Sequence, residues 1–503
     1  MDFFGNLALG LSVAVSPTNL FYCFVGVFLG TLVGVLPGIG ALATISLLLP
    51  ITFHLEPTSA IVMLAGVFYG SAYGGSTASI LLNLPGTPSS AVTCLDGYPM
   101  SRQGRAGVAL LITTIASFLG GSIGIVLMML FSPVIVGFAL QFGPAEYFAM
   151  MLLGLVAAST VASGAPVKGI AMVVLGVLLG LVGTDVNTGV LRFTFGIPEL
   201  ADGISLVAVA MGMFGVAEVI ASVRGAHAGK IDRRSITFGS MIPTRDDMRR
   251  FWGPMLRGAG IGSFFGALPG TGGTISAFMA YAVEKKVARQ PERFGNGAIE
   301  GITAPESANN AADQTAFIPT LTLGIPGNVV MALMIGALMI HGIAPGPQLM
   351  VEKPDLFWGL IMSFWIGNVL LLILNIPLIG IWIRVLAVPY HLLYPAILMF
   401  VCLGVFSVNN SAFDVLLVLV FGAFGYLMRV LDFQPAPLLL GLVLGPMMEE
   451  NLRRALLLSR GDFMVFVQRP ISATLMAATV ALLLWALWST ARKARPSPAS
   501  GAG

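Results

Sequence analysis

Residues 26–40 read GVFLGTLVGVLPGIG, and residues 258–272 read GAGIGSFFGALPGTG. In both stretches glycine recurs at every fourth position and a Leu-Pro-Gly triplet follows, and the second copy lies 232 positions after the first. Glycine at that spacing lays a smooth strip along one helix face, where another backbone can approach closely, and Pro-Gly then ends the helix. A duplicated apolar segment that is interrupted by Pro and Gly is typical of the binding site of a secondary transporter.

The composition is that of a membrane protein. Of the 503 residues, 56% are hydrophobic and 10% are charged, whereas a soluble domain carries about 25% charged residues. Apolar stretches that approach or exceed the ~20 residues needed to cross a bilayer as helix lie near residues 107–131, 134–161, 169–183, 201–222, 356–383, 391–408, 411–428 and 472–490. With the interrupted segments added, we predict an all-α polytopic membrane protein with about ten to twelve membrane elements.

Several kinds of partner and cofactor are not indicated. Cys23, Cys94 and Cys402 lie scattered in apolar sequence without paired spacing, so neither a disulfide framework nor a thiolate metal site is expected. The net charge of +3 is small, and the basic residues lack the aromatic-interleaved patches of a nucleic-acid-binding protein. We expect no cofactor, no nucleic acid and no metal ion beyond transported Na⁺.

Enzyme signatures are missing or misplaced. Gly120–Gly124 matches the pattern G-x-S-x-G, but it lies inside an uninterrupted apolar segment rather than at a strand-to-helix elbow, so we interpret it as helix packing. His54, His227, His341 and His391 are too far apart for an H-E-x-x-H metal site. A Walker-type ATP-binding motif is not found either. We therefore predict that the chain is not an enzyme and that an ion gradient or a partner supplies the energy.

The charge pattern predicts how the second copy sits in the membrane. The basic loop 223–257 is cytoplasmic by the positive-inside rule. The two apolar stretches that follow, 254–268 and 271–283, each reach only about 20 Å, which is short of a ~30 Å hydrocarbon core. Basic residues then return. We therefore predict that residues 254–283 form a re-entrant helical hairpin that turns at Pro269-Gly270.

The first copy has the opposite charge setting, since no Lys or Arg occurs between Met1 and Ser101. Its flanks are predicted to be extracytoplasmic, which gives the two copies inverted topology. The proline-rich stretch Gln434–Met448 is expected to be broken. The predicted organisation is a first inverted repeat with connecting transmembrane helices (1–222), a cytoplasmic basic loop (223–257), a second inverted repeat (258–470), a terminal transmembrane helix (471–490) and a disordered tail (491–503).

Polar interruptions follow each ladder. In the first half they comprise residues 73–77 and 83–90, and in the second half residues 305–315 and 324–328. We predict discontinuous helices here, because half-helix N-termini present unpaired N–H groups and a positive dipole end to an anion. Exposed carbonyl groups and the oxygens of Asn, Ser or Thr can in turn coordinate Na⁺. This chemistry fits a carboxylate substrate that is driven by a cation gradient.

The polar and glycine residues of these segments are the candidate site residues. The candidates for substrate contacts, several of which would also suit Na⁺, are Gly38, Gly75, Ser76, Thr77, Asn83, Gly86, Thr87, Gly270, Ser307, Asn310, Thr315, Gly327 and Asn328. The candidates for ion coupling are Asp313, Asn309 and Glu306, because an ionisable group at membrane depth without a basic partner is costly.

Plainer interpretations of the same residues stay open. Glu306 and Asn309 could cap a helix near the membrane interface, and Asn309-Asn310 could form a left-handed turn. The glycine ladders fit helix packing better than ligand contact. The Pro-Gly breaks could be mere kinks, although their paired recurrence favours the lining of a site.

At these motifs the chain resembles the large membrane subunit of the tripartite tricarboxylate transporters, the TctA-like permeases. The resemblance covers residues 18–450, and its strongest segments are Gly34–Gly40, Tyr69–Ser76, Leu84–Thr87, Ala267–Gly273, Pro305–Asn310 and Gly324–Gly327. It implies a permease of the bacterial inner membrane that imports citrate-like or other carboxylates with Na⁺ or H⁺. It also implies two partners, a small four-helix membrane subunit and a periplasmic solute-binding protein. An elevator-like motion of the core against the long helices is a hypothesis that comes from a resemblance to ion-coupled carboxylate carriers.

Two other functions stay open on the sequence alone. A passive organic-anion channel would show flux without cation dependence and without a binding protein. An intramembrane enzyme would need a polar catalytic pair, such as Ser and His at adjoining depths, whereas the histidines lie at predicted loop or helix-end positions.

Overall fold

The computed structural model describes residues 3–36, 40–161, 166–185, 187–222, 238–269, 271–386 and 390–493. These residues are almost entirely helical. The helices are α1 (Phe3–Ala14), α2 (Pro17–Val35), α3 (Gly40–Thr52), α4 (Pro57–Leu82), α5 (Thr93–Arg102), α6 (Ala106–Ala139), α7 (Pro144–Val161), α8 (Pro166–Gly180), α9 (Leu206–Ala210), α10 (Ala217–Ser222), α11 (Arg245–Gly266), α12 (Gly272–Val287), α13 (Ile299–Thr315), α14 (Phe317–Leu323), α15 (Val329–Ile340), α16 (Pro347–Glu352), α17 (Pro354–Asn375), α18 (Ile379–Val385), α19 (Tyr390–Asn409), α20 (Ala412–Val430), α21 (Ala436–Leu458), α22 (Val465–Gln468) and α23 (Pro470–Lys493). A short antiparallel hairpin pairs β1 (Gly183–Thr184) with β2 (Leu191–Arg192).

The helices have the length and composition of membrane spans. Among the described residues, four helices are long and apolar enough to cross a bilayer, namely α2, α6, α17 and α20. Further apolar helices of 10–17 residues accompany them. The prediction of an all-α polytopic membrane protein is confirmed.

The chain forms two compact units. Unit 1 comprises Met1–Leu140 and Val207–Tyr426, and unit 2 comprises Gln141–Leu206 and Leu427–Gly503. Both glycine ladders belong to unit 1, and so do the Pro-Gly segments within residues 83–90 and 324–328. The candidate site residues therefore all belong to one compact part of the chain.

Each glycine ladder packs its helix directly on the backbone of a partner helix. A Cβ atom at Gly26 of α2 would lie 2.2 Å from the carbonyl oxygen of Met63 in α4. A Cβ atom at Gly258 of α11 would lie 2.3 Å from the carbonyl oxygen of Ala304 in α13. The same contact repeats at Gly30 on Val67, Gly34 on Ser71, Gly262 on Ala308 and Gly266 on Ala312. The interpretation of the ladders as packing strips is confirmed.

The two repeats continue to correspond beyond the ladders. α4 corresponds to α13 and α14 taken together. The difference in residue number between Met63 and Ala304 is the same as that between the break prolines Pro85 and Pro326. Asn83 ends α4 in the left-handed region with φ 59°, and Gly324 ends α14 there with φ 70°. Each repeat thus consists of a ladder helix, a long buried partner, a left-handed stop and a Pro-Gly break.

Two of the predicted interruptions are wrong. Residues 73–77 lie inside continuous α4, and residues 305–315 lie inside continuous α13, where Pro305 is accommodated. Burial among neighbouring helices overrides the low helix propensity of these Gly-, Ser- and Asn-containing segments. The other two predicted interruptions are confirmed: the repeats break at residues 83–87, within the predicted 83–90, and at 324–328, where a left-handed residue lies two positions before the proline.

The second ladder forms one arm of a helical hairpin, as predicted. α11 packs against α12, and the salt bridge of Arg257 with Glu284, whose N···O distances are 2.8 and 2.7 Å, fastens the two arms. α11 begins earlier than the predicted apolar stretch, because Thr244 and Asp247 form a capping box at its start. That the hairpin is re-entrant stays a prediction. Its tip residue Gly270 lies outside the described residues.

Several predicted boundaries move. α6 is continuous through residues 131–134 and ends at Ala139. The stretch Gln434–Met448 is continuous helix from Ala436 onward: Pro435 and Pro437 fall at the start of α21, where proline costs no intrahelical hydrogen bond, and Pro446 is accommodated inside it. α23 continues to Lys493, so the first residues of the predicted disordered tail are helical. Residues 494–503 lie outside the described part of the chain, as do residues 223–237 of the basic loop.

Unit 2 is held together by the same kind of close packing and by ion pairs. A Cβ atom at Gly176 of α8 would lie 2.0 Å from the carbonyl oxygen of Leu438 in α21. Asp185 accepts hydrogen bonds from the N–H of Asn187 at 2.8 Å and from the guanidinium of Arg453 at 2.7 Å. The backbone N–H of Asn187, with Arg453, lowers the pKa of Asp185.

Substitution of a ladder glycine is expected to destabilise the protein. In Gly262→Ala the new methyl group would lie 2.1 Å from the carbonyl oxygen of Ala308, so α11 must move away from α13. Overpacking of this kind costs about 1–3 kcal/mol. Gly260→Ala is the matched control, because nothing lies within 4 Å of a Cβ atom at that position of the same helix. Thermal unfolding of the purified variants should show a lower melting temperature for Gly262→Ala. Equal melting temperatures would contradict the packing account.

Candidate functional site

α13 is a polar helix that is buried along its whole length. Every residue from Gly301 to Thr315 is buried, although the helix carries Glu306, Asn309, Asn310, Asp313 and Gln314. The spacing of Glu306, Asn309 or Asn310, and Asp313 places these side chains on one face. Buried polar and ionisable groups of this kind in a membrane protein indicate a candidate functional site.

α13 is enclosed by two glycine strips. The ladder of α11 covers one side, and α6 covers another through Gly120 and Gly124. A Cβ atom at Gly120 would lie 2.3 Å from the carbonyl oxygen of Ser307, and one at Gly124 would lie 2.8 Å from that of Ala311. Both glycines belong to the G-x-S-x-G pattern. Its interpretation as a packing motif within a continuous helix is therefore confirmed.

Glu306 is bound by hydroxyl groups from other helices. Thr93 of α5 donates to Oε1 at 2.5 Å, and Ser117 of α6 donates to Oε2 at 3.3 Å. The carboxyl group is fully buried, and it forms no ion pair with any described residue. Because Glu306 lies in the middle of α13, the interpretation of this residue as a helix cap is wrong. The group joins α13 of the second repeat to α5 and α6 of the first.

Asn309 and Asn310 lie within α13, so the interpretation of this pair as a left-handed turn is also wrong. Asn310 Nδ2 donates to the carbonyl oxygen of Glu306 at 3.0 Å and to Oδ1 of Asn309 at 2.6 Å. Asn309 Nδ2 is buried, and the acceptor that it adjoins is the Glu306 carboxylate.

Asp313 lies against the first turn of α12. A Cβ atom at Gly273 would come within 2.9 Å of Asp313 Oδ1. The Asp313 side chain is 5% exposed, and it forms neither a hydrogen bond nor an ion pair with any residue that the structure describes. The first turn of a helix carries unpaired N–H groups, which favour a neighbouring negative charge.

The two Pro-Gly breaks at residues 83–87 and 324–328 are built in the same way. A Cβ atom at Gly86 would lie 1.9 Å from the carbonyl oxygen of Gly34, the last glycine of the first ladder. A Cβ atom at Gly327 would lie 3.4 Å from the carbonyl oxygen of Gly266, the last glycine of the second ladder. Each break thus returns to the end of its own ladder helix.

A new helix starts directly after each break. Thr87 caps the 3-10 helix Pro88–Ala91 that leads into α5, and Asn328 caps α15. Asn328 Oδ1 accepts from the N–H of Met331 at 3.0 Å. Both residues were predicted as substrate contacts, and both stand at the start of a helix.

The two repeats pack crosswise around the breaks. α12 from the second hairpin packs on the 3-10 helix Pro88–Ala91 that follows the first break, and α3 from the first repeat packs on α15 that follows the second break. At the hairpin tip, a Cβ atom at Gly272 would lie 3.3 Å from the Cβ of Asn328. The starts of α12 and α15 are therefore adjacent, which brings unpaired N–H groups of two helices to one place.

Some of the predicted contact residues serve the packing of helices. Ser307 donates to the carbonyl oxygen of Met255 at 2.8 Å, and Thr315 donates to that of Ala311 at 3.0 Å. Ser76 donates to the carbonyl oxygen of Ala72 within α4 at 3.2 Å, and it adjoins Glu306. Gly75 and Thr77 are buried in α4, and Asn83 is an exposed C-cap. Gly38 and Gly270 lie outside the described residues.

The sequence did not identify the hydroxyl groups that bind Glu306. Thr93 and Ser117 are single hydroxyl residues without a motif, and only the fold brings them to Glu306. Asp96 was missed as well, although the rule that buried acids mark function would have selected it.

Asp96 of α5 holds the start of α13. Its Oδ1 accepts from the backbone N–H groups of Gly295, Gly297 and Ala298 at 2.9, 2.9 and 2.8 Å, and Oδ2 accepts from the hydroxyl of Tyr281 at 3.0 Å. Ala298 is the N-cap position of α13, so an acid from the first repeat caps the polar helix of the second. Among the described residues, no three His, Cys, Asp or Glu side chains come together as a metal site.

Comparison with known proteins identifies the family. The model of the tripartite tricarboxylate transporter TctA family matches residues 20–440. The chain belongs to the TctA family. It is therefore a multi-pass membrane component of a transporter that works with other subunits.

Two relatives of this TctA family member come from Agrobacterium vitis. The uncharacterized 52.8 kDa protein in the TAR-I ttuC' 3' region is 50% identical over 495 residues, which cover 98% of each chain. The uncharacterized protein in the TAR-II ttuC' 3' region is 52% identical over 234 residues, which cover 46% of this chain and 97% of that protein. No solved structure matches significantly. Because both relatives are described as uncharacterized, they indicate no substrate.

Removal of the Asp96 carboxylate is expected to destabilise unit 1. Asp96→Ala leaves three backbone N–H groups and the Tyr281 hydroxyl without their acceptor, and each buried orphan donor costs about 1–3 kcal/mol. The melting temperature should fall by ~5 °C or more. Asp246→Ala is the control, because Asp246 makes only an exposed pair with Arg250, which is worth about 0–1 kcal/mol. A melting temperature of Asp96→Ala equal to that of the control would refute this role.

Proposed function

We propose that the chain is the large permease subunit of a binding-protein-dependent secondary transporter. It imports tricarboxylates or dicarboxylates, with citrate as the first candidate, by symport with Na⁺ or H⁺. It acts in the bacterial inner membrane together with a small four-helix membrane subunit and a periplasmic solute-binding protein. The proposal rests on membership of the TctA family and on the site in unit 1.

One observation carries the proposal. Two breaks of the same construction lie at the ends of two glycine ladders, and the helices that start there pack crosswise against elements of the other repeat. Helix starts that converge in this way offer N–H groups and positive dipole ends to a carboxylate. A pore lined by one face of parallel helices would not require such paired breaks.

The buried acids support coupling to a cation. Glu306 and Asp313 lie within a helix that is buried along its length, and neither has an ion-pair partner among the described residues. A carboxylate substrate adds further negative charge to this region. A cation that travels with the substrate would balance the charge, which is why a passive organic-anion channel is the weaker candidate.

The proposed roles of individual residues follow their places in the fold. Gly86, Thr87, Gly327 and Asn328 form or border the breaks and would contact the substrate, together with Gly38 and Gly270 of the two Leu-Pro-Gly triplets. Glu306, Asn309 and Asp313 would serve ion coupling. Ser307 and Thr315 are weaker candidates, because their hydroxyl groups already donate to backbone carbonyls.

The first test is an uptake assay in membrane vesicles that contain the chain and the small membrane subunit. Radiolabelled citrate should accumulate when a Na⁺ gradient or a pH gradient is imposed and the solute-binding protein is present. Omission of either the gradient or the binding protein should abolish accumulation. Flux that depends on neither would indicate a channel, and chemical conversion of the labelled compound would indicate an enzyme.

The second test concerns alternating access at the breaks. Single cysteines at Thr87 and Asn328, in a background without Cys23, Cys94 and Cys402, should change their reactivity toward a membrane-impermeant thiol reagent when citrate and the cation are added. A cysteine at Gly260, on the exposed side of α11, should react equally in both conditions. Reactivity that never changes at both break positions would contradict alternating access.

A further inference from the structure

Asp313 lies at the start of α12, a position that would also favour the carboxylate of a substrate. Its Oδ1 lies where a Cβ atom at Gly273 would approach to 2.9 Å, which is at the first turn of the 16-residue helix α12. The first N–H groups of a helix lack intrahelical acceptors, and they form the positive end of the macrodipole. The carboxylate of the protein itself is therefore set against a helix end that attracts anions.

A second helix end adjoins the first. A Cβ atom at Gly272 would lie 3.3 Å from the Cβ of Asn328, which caps the 12-residue helix α15. The positive ends of α12 and α15 thus lie side by side, with Asp313 against one of them. Two converging helix ends would bind a substrate carboxylate well if no other negative charge were present.

Nothing in the described surroundings neutralises Asp313. The side chain is 5% exposed and has no hydrogen bond or ion pair there. The ionisable group that acts on it electrostatically is Glu306 on the same helix, which adds a second negative charge and no positive one.

We propose that Asp313 makes substrate binding depend on the cotransported cation by repelling the substrate carboxylate from these two helix ends. While Asp313 is ionised, its negative charge lies against the start of α12 and opposes a second carboxylate there. When a monovalent cation, Na⁺ or H⁺, neutralises Asp313, the helix ends become available to the substrate. The inference rests on the proposed function and gives it a coupling mechanism, since the cation and the substrate then increase each other's affinity.

The experiment measures binding to the purified protein in lipid nanodiscs. Citrate affinity is determined against Na⁺ concentration at fixed pH, and against pH without Na⁺, for the wild type and for Asp313→Asn. One of the two ions should raise the wild-type affinity by about tenfold or more, and that ion is the coupling cation. Asp313→Asn should bind citrate with equal affinity at every ion concentration. A variant that keeps the wild-type ion dependence, or a folded variant that no longer binds citrate, overturns the proposal.

A second measurement needs no substrate and separates this proposal from the proposed function. The coupling cation alone should raise the melting temperature of the wild type and of Asp355→Asn, an exposed control on α17, but not that of Asp313→Asn. If the wild type fails to transport citrate yet shows this pattern, only the proposed substrate is wrong. If Asp313→Asn is stabilised like the wild type, the cation binds elsewhere and the inference is wrong.

A third variant keeps Asp313 and changes its neighbour. In Gly273→Ala the new methyl group would displace the carboxylate from the first turn of α12. The cation concentration for half-maximal stabilisation should then shift by about tenfold. An unchanged value would contradict the contact on which the inference depends.

Discussion

The close approach of helix backbones at the glycine strips is the constraint on which the rest of the structure depends. α11 and α6 reach the backbone of α13 only because Gly258, Gly262 and Gly120 carry no side chains. This contact buries α13 along its length, although the helix is rich in polar residues. Because its own backbone hydrogen bonds are satisfied internally, the helix can bring acids to a depth where an irregular segment would be unstable.

The same packing joins the two similar repeats to each other. Each ladder ends where a Pro-Gly break returns to it, and the helices that start nearby belong alternately to the first and the second repeat. Glu306 and Asp96 add polar links between the repeats, the first through Thr93 and Ser117, and the second through the start of α13. A movement of one repeat against the other would therefore alter the surroundings of the buried acids directly, which is what coupled transport requires.

The sequence predicted those features that depend on backbone geometry. The spacing of the ladder glycines and the Pro-Gly breaks follows from steric rules, so the packing strips, the hairpin and the breaks at residues 83–87 and 324–328 could be predicted. Segments 73–77 and 305–315 were misread, because the polar residues there are held in helices by burial that only the fold provides. The role of Thr93 could not be predicted for the same reason, since it depends on Glu306, which lies far away in the sequence.

The central claim is that a carboxylate and a cation bind together in unit 1, at the starts of α12 and α15 and next to Asp313. The most direct measurement is a structure of the protein determined by electron cryomicroscopy with citrate and the coupling cation. The account predicts density for a carboxylate at the starts of α12 and α15, next to Asp313 and within reach of Asn309. Ligand density in unit 2, or at a distance from α13, would contradict it.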